Sequence, residues 1–583
     1  MRITQLALTN FRSFKEKQTI EFAPVTLLFG PNSVGKSTVL MALFYIQQIL
    51  SKGQCDPQYI DALGKKFVGG FKNLVHGKDL NNEITIGIEF TKGGSIGSSY
   101  YKLMDLELEE AGFYLDSPAT QAEKIYVAIE IKWSKQENTA YVSSLGIGLD
   151  EEPVVVITCN SGLKQPHISW INYRHPLLVE AGAVQNSEQM VDLISPLQIF
   201  CDEESLAANI GIKARNGCLP ELGRPLQTNI SQSTSIENEV YNEILSDLIV
   251  APLDNLHSLL KSSLCIGPLR HIPDGQYQPN PYPQQEDWYD GKACWDTLSK
   301  KHTLVFQVND WIGSSDKLGL GLQVVYKIND GVNRLVLGKA PNELSDVYAI
   351  KDALGDRFYA SISKEPLSSE RTSQEMHIEV GPNSSGKYAK SRDYILRFDI
   401  PDFYLGEGFS TTLGEETFNI KTDYYLSGER VKETSIALWD LNNQVEVNLS
   451  DVGVGVSQLL PLVTATALDN KGLVACEQPE LHVHPKVQVA IGDLLTQAGK
   501  DASFLIETHS EHLVLRLLRR IRETSEGKLP IGFAPVKPSD VSVVFLENDS
   551  RGVQASRLPI TSDGDFKSDW PGGFFEERDE ELF

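Results

Sequence analysis

The chain has 583 residues, enough for roughly two to four domains, and 41% of them are apolar and 22% charged, as in ordinary globular proteins. With 53 basic and 78 acidic residues, the formal net charge is −25, which excludes general nucleic-acid binding and requires a local basic patch for any such contact. The seven cysteines show no CxxC pair or zinc-like spacing, and no signal peptide or membrane span is recognisable, which predicts a cytoplasmic protein.

The first predicted elements surround a Gly-rich loop. A short apolar strand over residues 25–29 precedes GPNSVGKS, and an amphipathic helix follows it. This order is typical of a Walker A motif, in which backbone N–H groups and a helix N-terminus surround nucleotide phosphates. Lys36 is expected to reach the β- and γ-phosphates, and the Ser37 hydroxyl to bind Mg²⁺. The predicted nucleotide-binding residues here are Gly30, Pro31, Asn32, Ser33, Gly35, Lys36, Ser37 and Thr38.

The N-terminal sequence MRITQLALTNFRSF, followed by a strand and the Walker A motif, resembles the ABC-type ATPases of the SMC, RecF and OLD group. This resemblance implies an α/β fold in which an ABC-type head is split by an insertion. It also implies ATP and Mg²⁺ as cofactors. The active form would be a head-to-tail homodimer, or a higher homo-oligomer, with two ATP molecules at the dimer interface.

Residues 96–430 form the predicted α+β insertion. Relatives often carry a long coiled coil there, but this stretch has no sustained heptad repeats, so no coiled coil is predicted. It contains short alternating strands, a helical stretch over 188–262 and a Pro/Tyr-rich surface loop over 274–291. A second Gly-rich stretch, GPNSSGKY at 381–388, nearly repeats the Walker A letters. We interpret it as a connection between strands, because Tyr388 cannot supply a small Mg²⁺-binding hydroxyl and the following residues alternate like a strand.

Late in the chain, LSDVGVGVSQLLPLVTA at 449–465 resembles the signature motif of the same group. Ser450, Gly453 and Gly455 lie just before an apolar helix, so this turn can present N–H groups to a γ-phosphate. The resemblance implies that this phosphate belongs to the ATP held by the opposite protomer.

The next apolar strand ends at Glu477, which the resemblance places in the Walker B role, at the Mg²⁺ beside Ser37. Gln478 then occupies the usual position of the catalytic base, although an amide cannot accept a proton from water near neutral pH. Two interpretations stay open. Either Glu480 serves as the base, or hydrolysis is slow and ATP acts mainly as a dimerising ligand. His509, after the strand FLIE, resembles the switch histidine that contacts the γ-phosphate.

The helix LRLLRRIRE carries the best candidate for a basic patch. Its arginines could contact nucleic acid, although a solvated helix face is the simpler interpretation; they are Arg516, Arg519, Arg520 and Arg522. Asp563 and Asp565 imitate the D-x-D of a Toprim nuclease. Their distance from Glu547 along the chain is too short for such a domain, so no autonomous nuclease activity is expected.

IGPLRHIPDGQY, EQPELHVHP and DGDFKSDWPGGFFEE together resemble one bacterial OLD-like subgroup with a short C-terminal tail domain. Some of its relatives are ATPase subunits of anti-phage systems such as Septu and retron-associated complexes, which implies an ATPase that regulates a separate effector nuclease, possibly of the HNH type. The alternative is a RecF- or SMC-like ATPase acting directly on DNA. The predicted domains are an N-terminal lobe (1–95), the insertion (96–430), a C-terminal lobe (431–535) and the tail (536–583).

Overall fold

The computed structural model describes most of the chain outside the central insertion. The described residues are 1–101, 117–163, 165–172, 174–178, 210–229, 235–273, 277–329, 333–337, 362–363, 375–380, 393–399, 409–413, 416–420, 434–451, 453–468, 472–497, 502–568 and 570. The α-helices are α1 (Lys36–Lys52), α2 (Pro118–Gln121), α3 (Ser235–Lys261), α4 (Lys292–Lys300), α5 (His302–Gly313), α6 (Val454–Ala467), α7 (Pro485–Gln497) and α8 (Glu511–Ser525).

The strands belong to five sheets. In chain order they are β1 (Arg2–Thr9), β2 (Gln18–Glu21), β3 (Val25–Phe29), β4 (Tyr59–Ile60), β5 (Lys66–Phe67), β6 (Ile84–Thr91), β7 (Lys124–Ser134), β8 (Thr139–Leu149), β9 (Glu152–Thr158), β10 (His167–Ile171), β11 (Ile210–Gly211), β12 (Leu264–Ile266), β13 (Leu322–Asn329), β14 (Asn333–Leu337), β15 (Ile362–Ser363), β16 (Glu375–Val380), β17 (Asp393–Asp399), β18 (Phe409–Leu413), β19 (Glu416–Ile420), β20 (Thr434–Asp440), β21 (Val445–Val447), β22 (Leu473–Glu477), β23 (Ser503–Glu507), β24 (Val541–Asp549) and β25 (Gly552–Leu558).

A six-stranded sheet carries the Walker A strand β3 near its centre. Its order is β12-β22-β23-β3-β24-β25, and all neighbours are parallel except β24 and β25. Every residue of β3, β22 and β23 is buried, as expected of apolar strands in a parallel sheet covered on both faces. Because β3 lies between strands from the C-terminal part of the chain, the head is split in sequence. The predicted α/β fold with a divided ATPase head is confirmed.

An antiparallel eight-stranded sheet forms the second layer, in the order β11-β10-β9-β8-β7-β6-β1-β2. Strand β7 alternates between buried and partly buried residues, the pattern of a sheet with one face on the core. Strand β6 pairs with β1 on one side and with β7 on the other. The sheet therefore continues across the predicted boundary at residue 95, and the strands that sequence analysis assigned to the insertion extend the N-terminal lobe.

The described parts of the insertion agree with some sequence predictions and correct others. Helix α3 lies within the predicted helical stretch, but residues 210–229 contain β11 and turns instead of helix. Strands β16 and β17 pair antiparallel, so the stretch at 381–388 connects two strands as interpreted, and the stretch itself lies outside the described residues. No helix in the described ranges is both long and apolar enough to span a membrane.

Candidate nucleotide site

The loop between β3 and α1 has the backbone that a Walker A motif requires. Gly30 has φ 139° and Gly35 has φ 120°, a region that favours glycine. A Cβ on Gly30 would lie 2.2 Å from the Leu546 carbonyl oxygen, and a Cβ on Gly35 would lie 2.3 Å from Ser13 Oγ. Residues 31–33 are exposed at the top of the loop. Glycine is therefore required at both ends, and the loop between them stays accessible.

Lys36 is the first residue of α1, and only 3% of it is exposed. Its ammonium donates to the carbonyl oxygens of Gly30, at 2.8 Å, and Pro31, at 3.0 Å. Burial lowers the pKa of Lys36, and the nearby carboxylates of Glu507 and Glu480 oppose this shift. The ammonium is thus held across the inside of the loop, where it can reach the phosphates of a nucleotide.

Ser37 lies between two carboxylates at the ends of neighbouring parallel strands. Its hydroxyl lies 3.1 Å from Glu477 Oε2 and 2.8 Å from Glu507 Oε2. Sequence analysis predicted Glu477 but missed Glu507. The only signal in the sequence was that the predicted strand FLIE ends with an acid. In the structure, the pairing of β22 with β23 places Glu477 and Glu507 directly opposite each other. Burial, and then repulsion from Glu477, raises the pKa of Glu507.

These three oxygen-bearing side chains fit a magnesium ion. Mg²⁺ prefers carboxylate, hydroxyl and water oxygens and usually takes only one or two carboxylates together with substrate phosphates. Burial, and then repulsion from Glu477, raises the pKa of Glu507, and a divalent cation would compensate that repulsion. Ser37, Glu477 and Glu507 would hold the ion beside the nucleotide phosphates. Among the described residues, no group of three or more His, Cys, Asp or Glu side chains could form another metal site.

The Pro/Tyr-rich loop is exposed at residues such as Tyr282, as predicted, but its last part turns inward and contributes to this site. Its residues Gln285–Trp288 form a 3-10 turn, and the Trp288 side chain is buried. Tyr289 then places its hydroxyl 3.2 Å from Glu477 Oε1. Burial and the charge of Glu477 raise the pKa of Tyr289, so the phenol stays protonated and donates to the carboxylate. The loop therefore fixes the orientation of the predicted Walker B residue.

The segment after β22 turns sharply at Gln478, whose φ is 46°. The Gln478 N–H donates to the Glu507 carbonyl oxygen at 2.7 Å, which ties this turn to β23. Glu480 accepts a hydrogen bond from the His509 backbone N–H at 2.7 Å. Burial raises the pKa of Glu480 and lowers the pKa of His509, and the positive charge of Lys36 lowers the pKa of His509 further. Glu480 and His509 therefore lie together near Lys36.

The predicted signature residues lie at the N-terminus of α6. Ser450 is exposed, and its hydroxyl donates to the carboxylate of Asp451 at 3.1 Å. Gly453 is the N-cap residue of α6, and a Cβ there would meet no atom within 4 Å. A Cβ on Gly455 would lie 2.7 Å from the His482 carbonyl oxygen. The motif therefore has an open side at Ser450 and Gly453, and a packed side against the loop that follows β22.

The candidate basic patch on α8 is compensated by acidic side chains. Arg520 forms a two-point ion pair with Asp493, and Arg516 lies 3.6 Å from the same residue. Arg519 and Arg520 both pair with Glu523. Three arginines thus share two carboxylates, which offsets much of the positive charge of this face, while the Arg519 side chain stays 62% exposed. Nucleic-acid binding by this helix stays a prediction.

The tail segment contacts both α8 and the end of β3. Arg522, the fourth arginine of α8, donates to the Asp563 carbonyl oxygen and to the Asp565 carboxylate. The side chain of Trp570 contacts the ring of Phe29, the last residue of β3, with 5.4 Å between ring centroids. The aspartates that imitate a nuclease motif therefore attach the tail to α8.

Comparisons with known proteins match two separate segments. Residues 1–160 match a family model described as "AAA ATPase domain". Residues 374–516 match a second model, described as "AAA domain, putative AbiEii toxin, Type IV TA system". The DNA replication and repair protein RecF of Desulforamulus reducens is 42% identical over 45 residues, and this match spans 8% of the chain and only 12% of that relative.

Two solved structures of SMC head domains are distantly similar to this chain. The SMC head domain from Thermotoga maritima is similar with a TM-score of 0.31 and 10% identity, over 96% of this chain and 100% of that one. An SMC head domain from Pyrococcus furiosus, bound to the C-terminal domain of ScpA, has a TM-score of 0.33 and 9% identity, over 96% of each chain. The family matches and the loop geometry together show a P-loop ATPase domain contributed by two distant segments of the chain.

Proposed function

We propose that this protein binds ATP with Mg²⁺ and hydrolyses it slowly, as a switch that forms a head-to-tail dimer in the ATP-bound state. The arrangement of Ser37 between Glu477 and Glu507, directly below the Walker A loop, carries the proposal. It gathers oxygen ligands for a hard cation beside the lysine that faces the phosphates. The open side of the signature motif at Ser450 supports a site completed by a second copy of the chain.

Of the two interpretations of catalysis, the first gains support from the position of Glu480. Its burial-raised pKa brings the carboxyl nearer to the operating pH, which favours proton acceptance from water. Gln478, two residues before Glu480, is fixed through its backbone to β23, and its side-chain amide can orient a water molecule without accepting a proton. Glu480 is the base in this proposal. A low rate is still expected, because the carboxylate that accepts the proton is held by the His509 N–H.

The biological role proposed for this switch is the control of a separate effector nuclease in a prokaryotic anti-phage complex. The motifs shared with the OLD-like subgroup support it, as does the toxin named in the description of the second family model. The test is phage challenge of cells carrying the gene with its genomic neighbours. Plating should fall by at least about tenfold relative to the Lys36→Ala variant, and equal plating would contradict the defensive role.

The second candidate is an ATPase that acts directly on DNA, favoured by the match to RecF, a DNA replication and repair protein. The net charge of −25 and the ion-paired arginines of α8 weigh against it. DNA-stimulated hydrolysis by the purified chain without any other protein, together with sensitivity of the deletion strain to DNA damage, would favour this candidate over the first.

A further inference from the structure

A single buried arginine connects the signature helix with the Walker B strand. Arg270 lies four residues after β12 and is 5% exposed. One terminal nitrogen of its guanidinium donates to the Gln458 carbonyl oxygen of α6 at 2.7 Å. The other donates to the Glu477 carbonyl oxygen at the end of β22, also at 2.7 Å, and to Cys476 Sγ at 3.2 Å. The Gln458 side chain donates back to the Arg270 carbonyl oxygen at 3.3 Å.

The packing around α6 brings its Gln458 carbonyl within reach of the arginine. Pro461 lies inside the helix and lacks the N–H that would bond to the Ser457 carbonyl four residues earlier. A backbone carbonyl oxygen has two lone pairs, so the Gln458 carbonyl can accept the guanidinium although it lies within the helix. A Cβ on Gly291 would lie 3.1 Å from Pro461 and 3.2 Å from Arg270. The absence of a side chain at Gly291 therefore lets the arginine and the helix approach each other.

The chemistry of this bridge requires arginine. A buried cation is costly unless its donors are satisfied. Here two carbonyl oxygens on two different elements accept from the two terminal nitrogens of one planar guanidinium, while its Nε has no hydrogen-bond partner among the described residues. Lysine has a single nitrogen at the end of its side chain and cannot bridge both carbonyls with the same fixed geometry. The bridge therefore joins α6 to the backbone of Glu477, whose side chain contacts Ser37.

We propose that Arg270 is a positioning residue that couples the two composite ATP sites of the dimer. This inference rests on the proposed function. In a head-to-tail dimer the signature helix of one protomer contacts the ATP held by its partner, while Glu477 of the same protomer serves its own ATP. A rigid link between α6 and β22 makes occupancy of one site adjust the Walker B carboxylate of the other. ATP should therefore be hydrolysed cooperatively.

The test is the ATP dependence of hydrolysis in wild type, Arg270→Met and Arg270→Lys. Wild type should give a sigmoidal curve with a Hill coefficient above 1, since two linked sites allow values up to about 2. Both variants should give a hyperbolic curve and a rate about 10- to 100-fold lower, because a displacement of roughly 1 Å in a catalytic group has effects of that size. ATP affinity of the monomer should change less than about threefold.

Lys92→Met is the matched control, because Lys92 is also a buried cation that donates to backbone carbonyls, those of Ile96 and Ala119, but it follows β6 of the eight-stranded sheet. It should lower the melting temperature and keep the sigmoidal curve. If Arg270→Met does not fold, Arg270→Lys decides. Sigmoidal hydrolysis in the folded Arg270 variants, or a hyperbolic wild-type curve, overturns the coupling role. Absence of any hydrolysis by wild type would instead overturn the proposed ATPase function.

Discussion

At the scale of single residues, Lys36 provides the sharpest test of the nucleotide site. Its ammonium is buried and held inside the loop by the carbonyls of Gly30 and Pro31. Lys36→Ala should weaken ATP binding by about 10- to 100-fold, since hydrogen bonds to charged groups contribute roughly 1.5–3 kcal/mol. Isothermal titration with ATP measures this, and Lys387→Ala in the second Gly-rich stretch should bind like wild type.

The catalytic base can be identified with two neighbouring substitutions. Glu480→Gln should lower single-turnover hydrolysis by about 10²- to 10⁴-fold, the range for loss of general base catalysis, while ATP binding is kept. Gln478→Glu should give little gain, because it adds a third carboxylate beside Glu477 and Glu507. A large gain from Gln478→Glu, with Glu480→Gln close to wild type, would show that no base serves in the natural sequence.

The pH dependence of hydrolysis follows from the burial of Glu480. A base must be ionised, so the rate should rise with pH, and the raised pKa of Glu480 moves the midpoint above the usual value of about 4.3. The same pKa shift makes the stability of the fold change with pH in the opposite direction to the rate. A carboxyl with a raised folded-state pKa contributes stability below its unfolded pKa and loses it as pH rises through the folded pKa. Protonation of Glu480 in acid should therefore lower the hydrolysis rate without destabilising the fold. Melting temperatures measured at each pH check this.

How far the site could be predicted differs from residue to residue. The Walker A loop was predictable because its glycines are fixed by local backbone geometry and close approach. Glu507 and Tyr289 were not, because strand register and a distant loop bring them to Glu477. The ion pairing of the α8 arginines was equally hidden, since the Asp493 partner lies on another helix and the Asp565 partner lies in the tail.

At the scale of secondary-structure elements, the start of α6 tests the dimer. Ser450 is exposed and contacts only its neighbour Asp451 among the hydrogen bonds of the described residues, so an arginine fits there in the monomer. Ser450→Arg should leave ATP binding to the monomer unchanged and reduce the ATP-dependent dimer by at least about tenfold, through bulk at the partner's γ-phosphate. Light scattering with a slowly hydrolysed ATP analogue measures the dimer.

The control for this variant is Ser539→Arg, because Ser539 is also exposed and also contacts the next aspartate, Asp540, on a different surface. It should dimerise like wild type. An unchanged dimer fraction in Ser450→Arg would mean that α6 does not face a partner.

Helix α8 and the tail provide a test of stability with a built-in comparison. Gly564 has φ 71°, and a Cβ there would lie 2.1 Å from the Leu518 carbonyl oxygen, whereas Gly527 has φ 66° and open space around its Cβ position. Gly527→Ala should lower the free energy of unfolding by about 1–2 kcal/mol, the cost of left-handed backbone alone. Gly564→Ala should cost more and release the tail to proteolysis, as urea unfolding and limited digestion would show. Equal costs would mean that the tail is not attached at Gly564.

At the scale of the whole molecule, the fold class was predictable and the boundaries were not. Strands β6 and β7 lie on either side of residue 95 but pair in one sheet, because an alternating pattern identifies a strand without identifying its neighbour. The split head was predictable, since the Walker A and Walker B strands must meet in one sheet although the chain between them is long.

The position of β3 has a consequence for synthesis on the ribosome. This buried strand ends at Phe29, and its neighbours β23 and β24 begin at Ser503 and Val541. Between Phe29 and Ser503 lie 503 − 29 = 474 steps of elongation, roughly 25–95 s at about 5–20 residues per second. During that time the Walker A loop follows a strand whose two neighbours, β23 and β24, have not yet been made. A nascent chain therefore cannot trap ATP before almost all of its sequence has emerged, and a prematurely terminated chain would expose β3 to chaperones and proteases without acquiring a nucleotide site.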